Sequence, residues 1–349
     1  MNILAMDLGK YKTVFCEYSA IDGEHTFATV KTTPREIHDL IVEKEPDRVV
    51  MEVCSIAGWI GDITEALGIE TEIANPMHEA WRWKNVKKKT DKEDALKLAK
   101  LSAMGQLPTV HMRPKPVREK RALIKHRQRL VHYRTSLKNA IRAIFARQGI
   151  AITRGAAIWS REGLQWLKGE AREFAQISDA AELWRGQLQV ELKLLRAVTD
   201  SLKVVEGKLD KMGAVDRQIK RLQTIHGVGP RLAETVVAFL DDPKRFKSGK
   251  EVGSYAGLVP RQYQSGQMER QGRTGGRGNK MLRNLLIEVC WASLASNAWA
   301  RDTYKRLLRG SPSRKKIAIT GLARRLVVRC WAMLRDEQNW KEPMPTSTG

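Results

Sequence analysis

The stretch "DRVVMEV" at residues 47–53 decides the fold class, because from Val49 onward it is an apolar run that only one acid, Glu52, interrupts. A parallel strand inside an α/β sheet is covered by helices on both faces, and its sequence is therefore apolar throughout. This stretch predicts such a strand, and with it a mixed α/β domain.

The flanking segments extend this interpretation in both directions. Upstream, three short β-rich stretches precede a segment with helical periodicity: "NILAMDL" (2–8), "TVFCEYS" (13–19), "HTFATVKT" (25–32) and "TPREIHDLIVE". Downstream, "GWIGDITEALG" predicts a helix that ends at Gly68, and "IETEIAN" predicts another strand. With a further helix after it, the order is β-β-β-α-β-α-β-α, which is the layout of an RNase H-like (RuvC-like) fold.

The region after residue 115 is predicted to be helical. Residues 117–148 could form one helix about 48 Å long, with apolar residues every seven positions and cations over most of the rest. A cationic helix face is either plainly solvated or binds phosphate, and the excess of one sign favours phosphate. The predicted nucleic-acid contacts on this helix are Arg127, Arg134 and Arg142.

A second long helix is predicted at residues 181–213. Its apolar residues are spaced alternately by three and four, which is the seam of a coiled coil: Leu195, Val198, Leu202, Val205, Leu209 and Met212. A hairpin with the first long helix would explain the seam, and so would a coiled coil between subunits. The sequence leaves both open, and we expect a homo-oligomer, a dimer or a tetramer.

The last third contains "LQTIHGVGPRLAETVVAFL" (222–240), which predicts a helix-hairpin-helix whose turn, with Gly227 and Gly229, faces a phosphate. A Gly/Arg-rich loop at 254–279 and two more helices follow. The predicted fold class is therefore α/β plus α. It comprises an RNase H-like domain at 1–115, a long-helix coiled-coil segment at 116–215 and a mostly helical C-terminal domain at 216–349.

Charge and cysteine content narrow the class of protein. Lys and Arg number 62 against 39 acids, a net charge of +23, which predicts a polyanionic partner: nucleic acid first, an anionic membrane second. No apolar run is long enough to span a bilayer and no signal peptide is recognised, so we expect a cytoplasmic, nucleoid-associated prokaryotic protein. No CxxC pair occurs, which predicts buried, reduced thiols and no zinc site for Cys16, Cys54, Cys290 and Cys330.

Four carboxylates stand out. Asp7 and Glu52 interrupt apolar strands, where an acid without a partner is costly and must pair, shift its pKa or bind a metal. Asp91 and Asp94 are three apart and share one face of a helix; they either complement the helix dipole or supply ligands. As a set on this layout, the four predict a site for Mg²⁺ or Mn²⁺.

The chain resembles the insertion-sequence transposases with an N-terminal DEDD domain and a C-terminal serine domain, also called bridge-RNA-guided recombinases. Four stretches carry the resemblance: "MDLGK", "VMEVC", "NPMHEAWRWKNVKKKTDKEDALKLA" and "IHGVGP…YAGLVPRQYQSGQMERQGRTGGRGNKMLR". It implies that Asp7, Glu52, Asp91 and Asp94 bind the metal and that Ser265 is the nucleophile. It also implies a covalent 5′-phosphoserine, a 3′-hydroxyl that attacks the partner strand, and a guide RNA that pairs with donor and target DNA.

Ser265 can also be judged from its surroundings. A serine in "QSG" is most often a turn residue, but this one lies in a cationic segment that can neutralise a reacting phosphate. The cations are Arg261, Arg270, Arg273, Arg277, Lys280 and Arg283. The nearest histidine in sequence is His226, which disfavours a Ser-His-Asp triad and favours metal-assisted attack.

Two other classes of protein remain open. One is a metal-dependent junction nuclease that acts through the carboxylates alone, with Ser265 structural. The other is a non-catalytic nucleic-acid scaffold. The target and donor sequences, the RNA structure, the stoichiometry, and whether serine and carboxylates act within one chain are not determined by the sequence.

Overall fold

The computed structural model describes residues 1–76, 90–153, 155–265, 268–274 and 278–341, with backbone alone at 261–265, 268–271 and 273–274. The chain separates into two compact units, Met1–Arg118 and Glu119–Gly349. The predicted boundaries near residues 115 and 215 stay predictions.

The described part of the first unit contains a five-stranded sheet and three helices. They are, in chain order, β1 (Asn2–Leu8), β2 (Lys12–Ser19), β3 (His25–Lys31), α1 (Pro34–Lys44), β4 (Arg48–Glu52), α2 (Ala57–Ala66), β5 (Glu70–Ala74) and α3 (Asp91–Ala103). The sheet order is β3-β2-β1-β4-β5. Strands β1, β2 and β3 pair antiparallel, whereas β4 pairs parallel to both β1 and β5. The mixed α/β layout and the buried parallel strand are thus confirmed.

Helices cover the sheet on both faces. Leu4 and Met6 of β1 join Met51 in a core cluster with residues of α1 and α2. Ile3 and Ala5 of β1 join a second cluster with residues of β4 and α3. Because side chains alternate along a strand, odd-numbered residues of β1 face α3, and so do even-numbered residues of β4.

The direction of α3 follows from its carboxyl end. The guanidinium of Arg48, the first residue of β4, donates to Ser102 Oγ (3.2 Å), and Ser102 Oγ donates to the carboxylate of Glu72 on β5 (2.6 Å). The last turn of α3 therefore lies at the beginning of β4 and β5. Helix α3 runs antiparallel to β4, and its first turn points toward the carboxyl ends of β4 and β1.

The second unit is mostly helical, as predicted. Its elements are α4 (Lys115–Arg147, which begins in the first unit), α5 (Arg161–Glu170), α6 (Leu183–Val215), α7 (Arg217–Gln223), α8 (Pro230–Leu240), α9 (Gly249–Tyr255), β6 (Pro260–Ser265), β7 (Met268–Thr274), α10 (Lys280–Ser293), α11 (Ala298–Leu308) and α12 (Lys315–Arg335). No helix in the described part of the chain combines the length and apolar character needed to cross a bilayer.

Half of the α6 seam is buried inside its own chain, and the other half is half-buried: Val198, Val205 and Met212. Leu195 lies in a core cluster with Phe145 of α4, and Leu209 lies in another with Ile124 of α4. Leu202, between them, is also buried. Of the two explanations that the sequence left open, packing within the chain accounts for the buried seam.

Two predictions about the chain are wrong. The segment at 254–279 is not only a loop, because β6 and β7 pair as an antiparallel hairpin within it. Cys54 is exposed, whereas Cys16, Cys290 and Cys330 are buried as predicted. Strand β4 ends at Glu52, so Cys54 lies beyond the sheet.

The base of the hairpin is closely packed. Gly278 has a φ of +90°, and a Cβ built on it would lie 2.6 Å from the Cα of Gly257. The backbone N–H of Asn279 donates to the carbonyl of Tyr255 (3.0 Å), and Arg283 Nη1 donates to the carbonyl of Gly257 (3.1 Å). The chain that leaves α9 and the chain that enters α10 are therefore in direct contact.

Candidate active site

Asp7 and Glu52 lie next to each other near the carboxyl ends of the two central strands β1 and β4, and this end of the strands is called the edge of the sheet below. Strands β1 and β4 pair in parallel with Met6 opposite Met51, so Asp7 and Glu52 occupy the next position of the same register. By strand alternation, both side chains are on the face that α3 covers. Both residues are half-buried rather than fully buried as the sequence suggested, because the strands end here.

Asp91 and Asp94 form the first turn of α3. Thr90 caps the helix, and its side chain accepts a hydrogen bond from the backbone N–H of Glu93 (3.3 Å). Each aspartate precedes by four residues a side chain packed on the sheet, Ala95 or Leu98, and positions four apart share a helix face. The two carboxylates thus continue the sheet-facing stripe; Asp94 is half-buried and Asp91 exposed.

The two pairs of carboxylates lie at the same level of the fold. About 12 Å of helix separates Asp94 from Ser102, and about 13 Å of strand separates Glu52 from Arg48. Since Ser102 is bound to Arg48, the first turn of α3 is level with the end of β4. The fold therefore directs all four predicted acids to one edge of the sheet.

The carboxylates are not gathered into a closed cluster. Among the described residues, no three side chains of His, Cys, Asp or Glu are close enough to share one metal ion. The donor set itself suits the predicted metals, because Mg²⁺ and Mn²⁺ prefer carboxylate oxygens. Metal ligation by these acids stays a prediction.

Ser265 is the last residue of β6, at the tip of the hairpin, where it pairs with Met268 of β7. Arg261 lies on β6, and Arg270 and Arg273 lie on β7. Arg277 lies outside the described residues. Lys280 begins α10 and is exposed. The structure therefore places Ser265 on a strand end of the second unit, whereas the carboxylates belong to the first.

The three arginines of α4 have different surroundings. Arg127 forms an ion pair with Glu206 of α6 (2.6 Å), so it joins the two long helices. Arg142 donates to the carbonyl of Gly155 (3.1 Å) and lies over the ring of Trp159. Arg134 lines a cavity. Their predicted contacts with nucleic acid stay predictions.

The Gly-rich turn between α7 and α8 is packed against α10. Gly227 has a φ of +93°, and a Cβ there would lie 3.0 Å from the Cβ of Ser293. Asn297 Nδ2 donates to the carbonyl of His226 (2.7 Å). Gly229 is the N-cap of α8. Packing alone accounts for a glycine at 227, and contact with phosphate stays a prediction.

Sequence reasoning missed a cationic cavity in the second unit. It lies between α4, α5 and α6, with Lys138, Lys168 and Trp159 in its lining. These residues come from three separate segments, so no local pattern connects them. The one available signal was the excess of positive charge along α4.

Comparisons with known proteins define the class of protein to which the chain belongs. The DEDD-type IS110 family model, described as "Transposase", matches residues 4–148, and the model described as "Transposase IS116/IS110/IS902 family" matches residues 219–305. The chain is thus a transposase. It belongs to the IS110/IS116 family and has the DEDD domain of that family.

Two similar transposases support the family assignment over most of the chain. It is 27% identical to a probable family 20 transposase of Pseudomonas aeruginosa, with 97% of this chain and 98% of that one covered. It is 28% identical to the transposase for insertion sequence element IS1111A of Coxiella burnetii, with 84% and 79% covered. Among solved structures, T. thermophilus RuvC in complex with a Holliday junction substrate matches with 15% identity and a TM-score of 0.24, over 32% of this chain and 99% of that one.

Proposed function

We propose that this transposase cuts and rejoins DNA through a covalent phosphoserine intermediate. The observation that carries the proposal is the edge of the first-unit sheet, where Asp7 and Glu52 are neighbours and the first turn of α3 is level with them. Carboxylates directed to one edge are what a divalent cation requires for work on a phosphodiester.

In this proposal, Asp7, Glu52, Asp91 and Asp94 would hold Mg²⁺ or Mn²⁺, which when bound would neutralise charge on the reacting phosphate. Asp7 and Glu52 provide a fixed pair of ligands because the parallel register of β1 and β4 sets their spacing. Asp91 and Asp94 complete the set from the helix, where the Thr90 cap orders the first turn.

Ser265 is the proposed nucleophile. Its hydroxyl oxygen bonds to phosphorus while the bond between phosphorus and the 3′ oxygen breaks, and the departing 3′ oxygen receives the proton. The product is a 5′-phosphoserine and a free 3′-hydroxyl. A 3′-hydroxyl of the partner strand then attacks the phosphoserine and releases the serine. The neighbouring cations offset the negative charge that develops on the phosphate: Arg261, Arg270, Arg273, Arg277, Lys280 and Arg283.

The proposed partners are donor DNA, target DNA and a guide RNA, bound by a homo-oligomer in the cytoplasm with the nucleoid. The net charge of +23 supports polyanionic partners. The α7–α8 segment is proposed to act as a helix-hairpin-helix, with the turn at Gly227 and Gly229 toward a phosphate. The pair of long helices is proposed to act as a coiled-coil segment.

A nuclease that acts through the carboxylates alone is the second candidate. It is favoured by one observation, that the carboxylates and Ser265 belong to different units of the chain. A covalent adduct separates the two candidates, because hydrolysis leaves no protein on the DNA. A scaffold that only binds would form no adduct and would cut no strand.

The deciding experiment uses DNA labelled on the strand that carries the 5′-phosphate, incubated with protein and Mg²⁺ and analysed on a denaturing gel. The wild-type protein should retain the label as a protein–DNA adduct, and Ser265→Ala should not. Ser254→Ala is the matched control, since Ser254 is an exposed serine on α9. Cleavage by Ser265→Ala at the wild-type rate would instead establish the nuclease.

A further inference from the structure

A large cavity lies within the second unit, and no residue assigned above to the chemistry lines it. Its volume is about 1090 Å³, and its walls come from α4, α5 and α6 with the short segments that join them. Along α6 its lining extends from Gln189 to Lys203, which is about 21 Å of helix. The cavity is therefore longer than one phosphate group and has room for a few linked nucleotides.

The lining is strongly cationic. The lining contains seven Lys or Arg residues and two acids, Glu173 and Asp200. Both acids are already paired: Glu173 with Lys193 (3.3 Å), and Asp200 with Lys203 (3.6 Å). In the described part of the chain, no carboxylate pairs with Arg134, Lys138 or Lys168. The cavity thus has positive charge that the protein itself does not neutralise.

Lys138 lies close enough to other cations for their charges to affect its pKa. Burial lowers the pKa of its ammonium group, and the charges of Arg134 and Arg142 lower the pKa further. The charge of an anion in the cavity would offset both effects on this pKa. The ammonium also lies 4.7 Å from the centre of the Trp159 ring, which places an aromatic surface in the cationic lining.

We propose that this cavity binds a single-stranded segment of nucleic acid, with its phosphates against Lys138, Lys168 and Arg134 and a base near Trp159. A cationic groove with an aromatic side chain is the arrangement by which proteins hold single strands without reading their sequence. Gln176, Gln189 and Thr199 add uncharged hydrogen-bonding groups to the lining.

The shape of the cavity favours a single strand over a duplex. Helices bound it on several sides, and a duplex presents its phosphates on the outside of a wide, rigid cylinder that needs an open surface. An unpaired strand is narrow and can turn its bases independently of its phosphates. The duplex portions of any substrate would therefore bind elsewhere on the chain.

This inference rests on the proposed nucleic-acid partner but not on Ser265 or the carboxylates. The test measures binding of labelled oligonucleotides to the full chain: single-stranded RNA, single-stranded DNA of the same sequence, and duplex DNA. The variant Lys138→Gln/Lys168→Gln removes two charges from the cavity. The matched control Lys208→Gln/Lys211→Gln removes two charges from exposed positions of α6 outside it.

The cavity variant should bind single strands about tenfold more weakly, and its salt slope should fall by about 1.4, since each phosphate contact contributes about 0.7 on a single strand. The control variant should behave as wild type, and duplex binding should change for neither. The comparison of RNA with DNA identifies which strand the cavity takes, as the one with the larger loss.

Several results would overturn the proposal. They are equal losses in both variants, an equal loss on duplex, or no loss on either single strand. A wild-type protein that binds no nucleic acid would instead refute the proposed function. If the cavity variant melts early, crosslinking replaces it: a thiouridine-containing strand bound to the wild-type protein should attach to peptides with Trp159 or Lys168. Crosslinks confined to other peptides would sink the cavity assignment.

Discussion

Asp7 and Glu52 carry like charges at neighbouring positions of adjacent strands, and this repulsion is the physical basis of a test. Asp7→Asn removes one charge from the edge. It should abolish strand transfer and weaken Mn²⁺ binding at least about tenfold, while leaving the melting temperature equal or higher because repulsion is relieved.

Calorimetric titration of Mn²⁺ and thermal melting, done beside the activity assay, check this prediction. The control is Asp39→Asn, which neutralises an exposed acid of α1 in the same unit. Unchanged Mn²⁺ affinity in Asp7→Asn, together with wild-type strand transfer, would remove Asp7 from the site. A collapse in melting temperature would assign it to folding.

Glu234 on α8 offers a second test at the residue scale. Burial raises the pKa of its carboxyl, and the guanidinium of Arg231, which donates to both of its oxygens, opposes the rise. The folded protein therefore keeps this proton to higher pH than the unfolded chain does. The free energy of unfolding should fall as pH increases from the ordinary glutamate pKa through the raised one.

Glu234→Gln resembles the protonated acid and should remove that fall. At neutral pH the variant should melt a few degrees higher, about 2–4 °C for each kcal/mol recovered in a domain of this size, and at acidic pH it should match wild type. Glu288→Gln, at an exposed position of α10, is the control. A variant that melts lower at neutral pH would show that the pair with Arg231 outweighs the cost of burial.

At the scale of elements, α6 shows where sequence patterning was sufficient and where it was not. The spacing of three and four identified the buried stripe, but that stripe is the same whether the partner helix belongs to one chain or to two. The structure pairs α6 with α4 through the ion pair of Arg127 with Glu206 and the ring contact of Phe145 with Trp184. Residues of both helices also share a core cluster at each end of the pair.

This pairing makes a prediction about Leu209, which is 1% exposed. Leu209→Ala should lower the free energy of unfolding by about 2–5 kcal/mol, because it leaves a cavity between the helices. Val204→Ala on the same helix is 74% exposed in the wild type and should change it by less than about 0.5 kcal/mol. Urea unfolding measures both. Dissociation of an oligomer by Leu209→Ala, without loss of stability, would contradict packing within the chain.

The hairpin of β6 and β7 was beyond sequence reasoning for a different reason. Its strands, "PRQYQS" and "MERQGRT", have no alternation of apolar and polar residues, and that alternation is the pattern from which a half-buried strand is predicted. The strands of the first unit were predictable since they alternate or are apolar throughout. The absence of a CxxC pair could not show that Cys54 is exposed, because its exposure follows from its position past the end of β4.

On the scale of the whole molecule, the net charge was predictable from the sequence, but the positions of the unpaired cations in the fold were not. The sum of +23 follows from the sequence, whereas the cavity between α4, α5 and α6 exists only once three distant segments are packed. Arg127 and Arg134 show the difference on one helix, because Arg127 forms an ion pair with Glu206 whereas Arg134 lines the cavity. Spacing along a helix cannot separate such residues, because the partner acid comes from another helix.

The contact between Gly257 and Gly278 has a consequence for how such proteins can diverge. Since the chain leaves α9 and enters α10 at touching points, the segment between them is attached like an insert at a single position. We therefore expect that a change in its length or composition leaves the helices on either side in place. A graft of the segment from another transposase, with both glycines kept, is therefore a practical route to chimeric enzymes.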